Sequence, residues 1–144
     1  MARKLIVDCD PGIDDAVALC MALFDPRLDV VAVTATGGNV SGDQASRNVQ
    51  ALIERLDPPR YPRVGLVSLP KPISNIDARF IHGEDGLGNQ ELDVSVHHHQ
   101  HAADKLIIDE IRAAPNEVTL LCLGPLTNVA RAFQRDPELP SLVN

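Results

Sequence analysis

Four aspartates crowd one short segment near the start of the chain: Asp8, Asp10, Asp14 and Asp15. Aspartate is rarely buried unless it is paired or binds a metal. Four carboxylates this close together repel one another, so their charge needs a neutralising partner. Because Ca²⁺ and Mg²⁺ prefer oxygen ligands, the cluster predicts a site for a hard divalent cation. The alternative is a strand-end cap followed by ordinary acids at a helix N-terminus, which would explain two of the four.

The residues around the cluster predict a turn from a strand into a helix. Residues 5–7 form a short apolar run, as expected for a buried parallel strand, and Pro11-Gly12 ends it. Apolar residues then recur at helical spacing from Ala16 to about Phe24. Val17 and Met21 widen the apolar face, so we expect this helix to be largely buried.

Strands and helices alternate along the rest of the chain. The apolar patterns predict strands at 30–36, 64–67 and 118–123, and helices at 45–56, 103–111 and after Gly124-Pro125. Ser41 and Gln44 form a capping box before the second helix. This alternation is typical of an α/β fold with a mostly parallel, Rossmann-like sheet and helices on both faces. In such sheets ligands bind beyond the carboxyl ends of the strands, where the aspartates, Asn39 and Leu123 all fall.

Residues 68–100 form a long segment between the third strand and the third helix. It contains prolines and the glycine-rich run 82–88, and a histidine tract, His97-His98-His99-Gln100-His101, runs across its end. Loops of this length are typically functional or mobile. The histidine spacing fits no standard zinc site, so we interpret the tract as a solvated loop.

Composition narrows the functional classes. The chain has 144 residues, the length of one domain, and a net charge of −7, which argues against a binder of nucleic-acid backbones. Three cysteines without metal-type spacing are expected to be core thiols of a reduced, cytoplasmic protein. We find no signal peptide and no membrane-spanning apolar run, so no membrane partner is expected.

Four segments together resemble one enzyme family, the inosine-uridine preferring nucleoside N-ribohydrolases. The most specific is D-x-D-P-G-I-D-D-A at residues 8–16. The others are T-G-G-N at 36–39, H-G-E-D-G-L-G at 82–88 and L-G-P-L-T-N at 123–128. The resemblance implies the nucleoside hydrolase fold and hydrolysis of the N-glycosidic bond of ribonucleosides to ribose and a free base, the chemistry of purine and pyrimidine salvage. It also implies a Ca²⁺-bound water activated by an aspartate.

The resemblance implies metal ligands and a base at the aspartate turn. Asp10 would be both a calcium ligand and the general base, and Asp15 a second ligand. Leu123 would offer its backbone carbonyl to the metal. Asp8 would organise the cluster from behind.

The resemblance also implies residues that bind the substrate. Asp14 would bind the ribose 2′-hydroxyl and Asn39 another ribose hydroxyl. His82 would lie near the leaving base, in a catalytic role. Family members are commonly dimers or tetramers, so a homo-oligomer is expected.

Two other interpretations of the sequence stay open. Haloacid-dehalogenase-like phosphatases also place D-x-D after a first strand, with Asp8 as nucleophile, Asp10 as acid/base and Mg²⁺ as cofactor. The second interpretation starts from length, because family members are about twice as long and this chain ends where they enter their next strand. We therefore expect residues 1–144 to be the N-terminal part of a single hydrolase domain, truncated at an open sheet edge, with doubtful activity alone. A non-catalytic relic that binds metal or dimerises is the alternative.

Overall fold

A computed structural model of the chain describes residues 1–67, 77–95 and 101–144. The strands are β1 (Arg3–Cys9), β2 (Leu28–Ala35), β3 (Arg63–Leu66), β4 (His101–Ala102) and β5 (Val118–Cys122). The helices are α1 (Ile13–Phe24), α2 (Gly42–Leu56), α3 (Arg79–His82), α4 (Ala103–Ala113) and α5 (Thr127–Arg135), followed by a 3₁₀ turn at Leu139–Ser141.

The strands form one parallel sheet in the order β4-β3-β2-β1-β5. The strand order reverses at β1, which has β2 on one side and β5 on the other. This reversal is where open α/β sheets bind ligands, beyond the carboxyl ends of the strands. The predicted parallel α/β fold is confirmed.

Helices cover both faces of the sheet, and each face has its own core. On one face α1 and α2 pack through Leu19, Val49 and Ile53 against β1 and β2. On the other face α4 and α5 pack through Ile107 and Ala132. Alternate residues of β1 serve the two cores, since Val7 belongs to the first and Ile6 to the second. Continuous apolar strands are what a sheet buried on both faces requires.

The prediction that α1 is largely buried is wrong for its outward side. Leu19 and Ala22 are buried, whereas Val17 and Met21 are 57% and 70% exposed. Only one side of α1 meets the sheet, and apolar periodicity does not reveal how many layers cover a helix.

The long segment 68–100 contains more structure than predicted. Residues 79–82 form the short helix α3, and His82 is its last residue. His101 forms the short edge strand β4 with Ala102, so this end of the histidine tract is not a loop. His97, His98 and His99 lie outside the described residues. Within the described ranges, no helix is long and apolar enough to cross a membrane.

Candidate active site

A hydrogen bond closes the aspartate turn at the point where the chain enters α1. Gly12 precedes α1, and its N–H donates to Asp15 Oδ2 at 3.0 Å. The first N–H groups of a helix have no partner within the helix, so this acid in the first turn caps the helix. The cap folds Asp15 back toward Asp10, and both carboxylates are 5% exposed. The turn therefore collects two buried carboxylates at the end of β1.

Asn39 ties this turn to the end of β2. Its backbone N–H donates to Asp10 Oδ2 at 2.8 Å, and its side-chain Nδ2 donates to the Asp10 carbonyl at 2.9 Å. The same Nδ2 lies 3.4 Å from Asp15 Oδ2. Asn39 thus fixes the positions of both acids.

Two glycines leave room for the Asp10 carboxylate. A Cβ on Gly38 would overlap Asp10 Oδ2, and a Cβ on Gly124 would lie 2.5 Å from Asp10 Oδ1. Gly38 follows β2 and Gly124 follows β5, so the loops after both neighbours of β1 pack against one carboxylate. The absence of a side chain at each position is what allows this close approach.

Asp8 lies behind this turn and is fully buried. Thr34 donates its hydroxyl to Asp8 Oδ1 at 2.6 Å, and Asn128 donates Nδ2 to the same oxygen at 2.8 Å. Asp8 Oδ2 is buried and has no hydrogen-bond partner among the described residues. An unpaired buried carboxylate oxygen is costly and indicates that the charge of this cluster is not balanced by the protein alone.

Burial and crowding raise the pKa of three of the four aspartates. Desolvation is the largest cause for each, and the neighbouring acids add to it. The pKa of Asp8 rises to about 6, against the hydrogen bonds from Asn128 and Thr34, which lower it. The pKa of Asp15 also rises to about 6, and that of Asp10 is raised. A raised carboxyl pKa means that the negative charges are held together at a cost, which a cation would relieve.

Asp14 and His82 line the open side of the turn. The Asp14 side chain is 81% exposed, and its Oδ1 lies 3.9 Å from His82 Nδ1. His82 Nδ1 accepts the backbone N–H of Ile13 at 3.2 Å, and a Cβ on Gly12 would lie 2.9 Å from the imidazole. The described structure therefore brings His82 onto the aspartate turn, although 69 residues separate it from Ile13.

Leu123 directly follows β5 and lies beside the same cluster. Its N–H donates to the Asp8 carbonyl at 2.8 Å, and the next residue, Gly124, packs on Asp10. The site residues predicted from the sequence are thus brought together, with Asp8 on the inside and Asp14 outermost. Within the described ranges, no group of three or more His, Cys, Asp or Glu side chains could hold a metal ion. Asp10, Asp15 and a backbone carbonyl are a partial set of oxygen ligands, whereas Ca²⁺ takes six to eight.

The sequence matches the model of the inosine-uridine preferring nucleoside hydrolases over residues 5–144. The chain belongs to that family. Among curated relatives, a probable uridine nucleosidase 2 from Oryza sativa subsp. japonica is 37% identical over 98% of this chain and 43% of that protein. The pyrimidine-specific ribonucleoside hydrolase RihA from Klebsiella pneumoniae is 39% identical over 96% of this chain and 45% of that protein.

Solved nucleoside hydrolases share the fold. The plant nucleoside hydrolase PpNRh1 superimposes with a TM-score of 0.82 at 39% identity, covering 99% of this chain and 46% of that enzyme. The chain therefore spans somewhat under half the length of the nucleoside hydrolases it matches.

Several residues that support the site were not singled out from the sequence. Thr34 lies inside β2, and Asn128 lies at the start of α5. Neither position carries a local signal, because their contact with Asp8 depends on how β1, β2 and α5 are arranged in space. The G-G-N and L-G-P runs were the available signals for the close packing of Gly38 and Gly124 on Asp10.

Proposed function

We propose that this chain is the N-terminal part of a single nucleoside hydrolase domain and supplies the metal- and ribose-binding side of its active site. The proposed reaction is hydrolysis of the N-glycosidic bond of a ribonucleoside. The observation that carries the proposal is the buried pair Asp10 and Asp15, braced by Asn39 and set beside His82. Family membership supports the reaction class.

The donor set fits a hard cation, and we propose Ca²⁺. Asp10 and Asp15 would hold it with carboxylate oxygens, and Leu123 would add its carbonyl. The raised carboxyl pKa values and the unpaired Asp8 oxygen support a cation here, because both reflect negative charge left unbalanced. When bound, the cation would lower the pKa of a water and offer a fixed docking point for the two ribose hydroxyls. The remaining ligands would come from substrate, water and the rest of the domain.

The acids of the turn suit a reaction that builds positive charge on the sugar. Cleavage of a glycosidic bond passes through an oxocarbenium-like transition state, which nearby carboxylates stabilise. Asp10 would take the proton of the attacking water, as a carboxylate that the N–H groups of Asn39 hold in place. Asp14 and Asn39 would bind ribose hydroxyls, and His82 would lie at the leaving base. Asp8 would hold Asn128 and Thr34 in place behind them.

Metal binding tests the first half of this proposal. Calorimetric titration of the 144-residue chain with CaCl₂ is expected to show one site that Asp10→Asn and Asp15→Asn each weaken by about tenfold or more. Asp43→Asn, an exposed acid in the first turn of α2, is the matched control and should bind as wild type does. Equal affinity in wild type and in the Asp10 and Asp15 variants would contradict the metal assignment.

Hydrolysis is tested by restoring the length of the family. Residues 1–144 are fused to the part of PpNRh1 that follows its matched region, and the release of free base from uridine and inosine is measured. We expect Ca²⁺-dependent hydrolysis that Asp10→Asn lowers by about 10²-fold to 10⁴-fold, the usual contribution of a general base. The proposal would be contradicted by a folded hybrid that releases no base. It would also be contradicted if Asp10→Asn left the rate of the hybrid unchanged. The 144-residue chain alone is expected to show little activity.

A further inference from the structure

Asn48 joins the aspartate turn to the segment that carries His82. It lies on α2, and its side chain is 3% exposed, although it is polar. Its Nδ2 donates to the Pro11 carbonyl at 3.3 Å and to the Asp85 carbonyl at 2.7 Å. Its Oδ1 accepts Gln44 Nε2 at 2.9 Å. One buried carboxamide thus uses both of its N–H groups on two segments that are distant in sequence.

The two segments that Asn48 joins both carry site residues. Pro11 lies between Asp10 and the helix that holds Asp15, and Asp85 lies three residues after His82. Gly86 packs into this junction, where a Cβ would lie 3.0 Å from the Pro11 carbonyl oxygen and 3.1 Å from Asn48 Nδ2. The two segments therefore pack closely at this junction, with little room for a side chain at Gly86.

The segment that carries His82 is held together by its own hydrogen bonds. Asp85 accepts the backbone N–H groups of Leu87, Asn89 and Glu91 at 2.8–3.0 Å. The Gly88 N–H donates to the His82 carbonyl at 2.7 Å. These bonds hold residues 82–91 together, so a contact at Asp85 also determines where His82 lies.

We propose that Asn48 is a positioning residue that sets the distance between His82 and the Asp10–Asp15 turn. The consequence of this inference for catalysis rests on the proposed function. Asn48 acts through Pro11 and Asp85 and touches neither metal nor substrate. A purely structural role on α2 would require no contact with the site segments, whereas both of its donors point to them.

The amide of Ile13 reports on this role directly. Ile13 is the first residue of α1, so its N–H has no partner within the helix, and it donates to His82 Nδ1. Its protection from hydrogen exchange therefore depends on where His82 lies. The measurement is exchange at single amides by NMR on the 144-residue chain, without calcium or nucleoside.

Asn48→Asp keeps the side-chain shape and removes both donors. We expect the Ile13 amide to exchange at least about tenfold faster, because each lost hydrogen bond accounts for about a fivefold effect. Gln50→Leu is the matched control, since Gln50 is also buried on α2 and, among the described residues, donates to the Ser46 carbonyl of its own helix. It should leave Ile13 exchange within about twofold of wild type. If Asn48→Asp does not fold, Asn48→Ser is measured with the same expectation, because its hydroxyl is too short to reach both carbonyls.

Two results of the exchange measurement would overturn the inference. One is unchanged Ile13 exchange in the Asn48 variant, and the other is an equal acceleration in Gln50→Leu, which would indicate only a looser α2. In the hydrolase hybrid, Asn48→Asp should lower kcat about tenfold, while the affinity for Ca²⁺ stays within about threefold of wild type. An unchanged kcat would also count against the inference. An inactive wild-type hybrid would contradict the proposed function alone, because the exchange result does not depend on activity.

Discussion

Asn128 donates its side-chain N–H to Asp8 Oδ1 at 2.8 Å, across 120 residues of sequence. The same Nδ2 donates to the Ala35 carbonyl at 2.7 Å. One buried side chain on α5 therefore links the carboxyl ends of β1 and β2. The contact explains how the most buried acid of the cluster is held although no positively charged side chain among the described residues bonds to its oxygens.

Replacing Asn128 by Leu should destabilise the fold by about 2 kcal/mol. The substitution leaves the Ala35 carbonyl without this donor and Asp8 with only the Thr34 hydroxyl, and unpaired buried polar groups cost about 1–3 kcal/mol each. Urea unfolding followed by circular dichroism measures the change. Gln134→Ala, an exposed position on the same helix, should stay within about 0.5 kcal/mol of wild type. Equal stabilities for the two variants would show that the Asp8 contact is not important for folding.

The raised carboxyl pKa values predict an unusual dependence of stability on pH. The pKa of Asp8 and of Asp15 is about 6 in the fold, against 3.8 for the free side chain. Between these values the folded protein binds more protons than the unfolded chain, so its stability falls as pH rises. In calcium-free buffer we expect the free energy of unfolding to be highest near pH 4 and to decrease up to pH 6, by as much as about 3 kcal/mol per carboxyl.

Two comparisons separate this effect from other titrations. Asp25 and Asp77 have their pKa lowered to about 2 by hydrogen bonds from Arg27 and Arg79, so they act below this window. Asp8→Asn should make the decrease between pH 4 and 6 smaller by the share of Asp8, because the amide does not ionise, while Asp15 keeps its own share. A free energy of unfolding that rises over this range in wild type would contradict the prediction. Calcium should stabilise the protein more at pH 7 than at pH 4.5, since it binds the ionised carboxylates.

Gly38→Ala should weaken calcium binding by displacing Asp10. The new methyl would overlap Asp10 Oδ2. It would also lie 2.9 Å from Pro125 Cδ, so it cannot avoid Asp10 by shifting toward Pro125. We expect a rise of about tenfold or more in the calcium dissociation constant, measured by calorimetry. Gly42→Ala is the control, because the three described atoms nearest to its methyl all belong to the Val67 side chain and none to Asp10. Unchanged affinity in Gly38→Ala would show that the Asp10 carboxylate has more freedom than the structure gives it.

The parts of the site that the sequence predicted are those encoded by local patterns. The strand, the Pro11-Gly12 turn and the acids of α1 form one continuous motif, and the structure brings Asp10 and Asp15 together as that motif requires. Ser41 accepts the Gln44 N–H, as the capping box predicts. The second bond of the box, from the Ser41 backbone N–H to the Gln44 side chain, is not found among the described residues, where Gln44 Nε2 donates to Asn48 Oδ1.

The parts that the sequence did not predict depend on contacts between distant segments. Thr34, Asn48 and Asn128 reach the site only because the sheet order and the helix positions place them there. Their local sequence is that of an ordinary strand or helix. The short helix α3 was also missed, because four residues carry too little periodicity to identify.

The orientation of α1 can be tested with two substitutions on opposite sides of the helix. Leu19 is fully buried against the sheet, whereas Met21 is 70% exposed. Leu19→Ala should cost about 2–5 kcal/mol, since it removes buried methyl groups and leaves a cavity. Met21→Ala should change the free energy of unfolding by no more than about 0.5 kcal/mol, because most of the Met21 side chain is exposed to solvent and few of its contacts are lost.

Urea unfolding of both variants under identical conditions shows whether one side of α1 is buried or both sides are. Alanine is a good helix former at either position, so helix propensity does not favour one variant over the other. A cost for Met21→Ala close to that for Leu19→Ala would mean that the outward side of α1 is covered in solution, as the apolar pattern of the sequence alone had predicted. A large difference would confirm that α1 packs on the sheet through the side that carries Leu19 and Ala22.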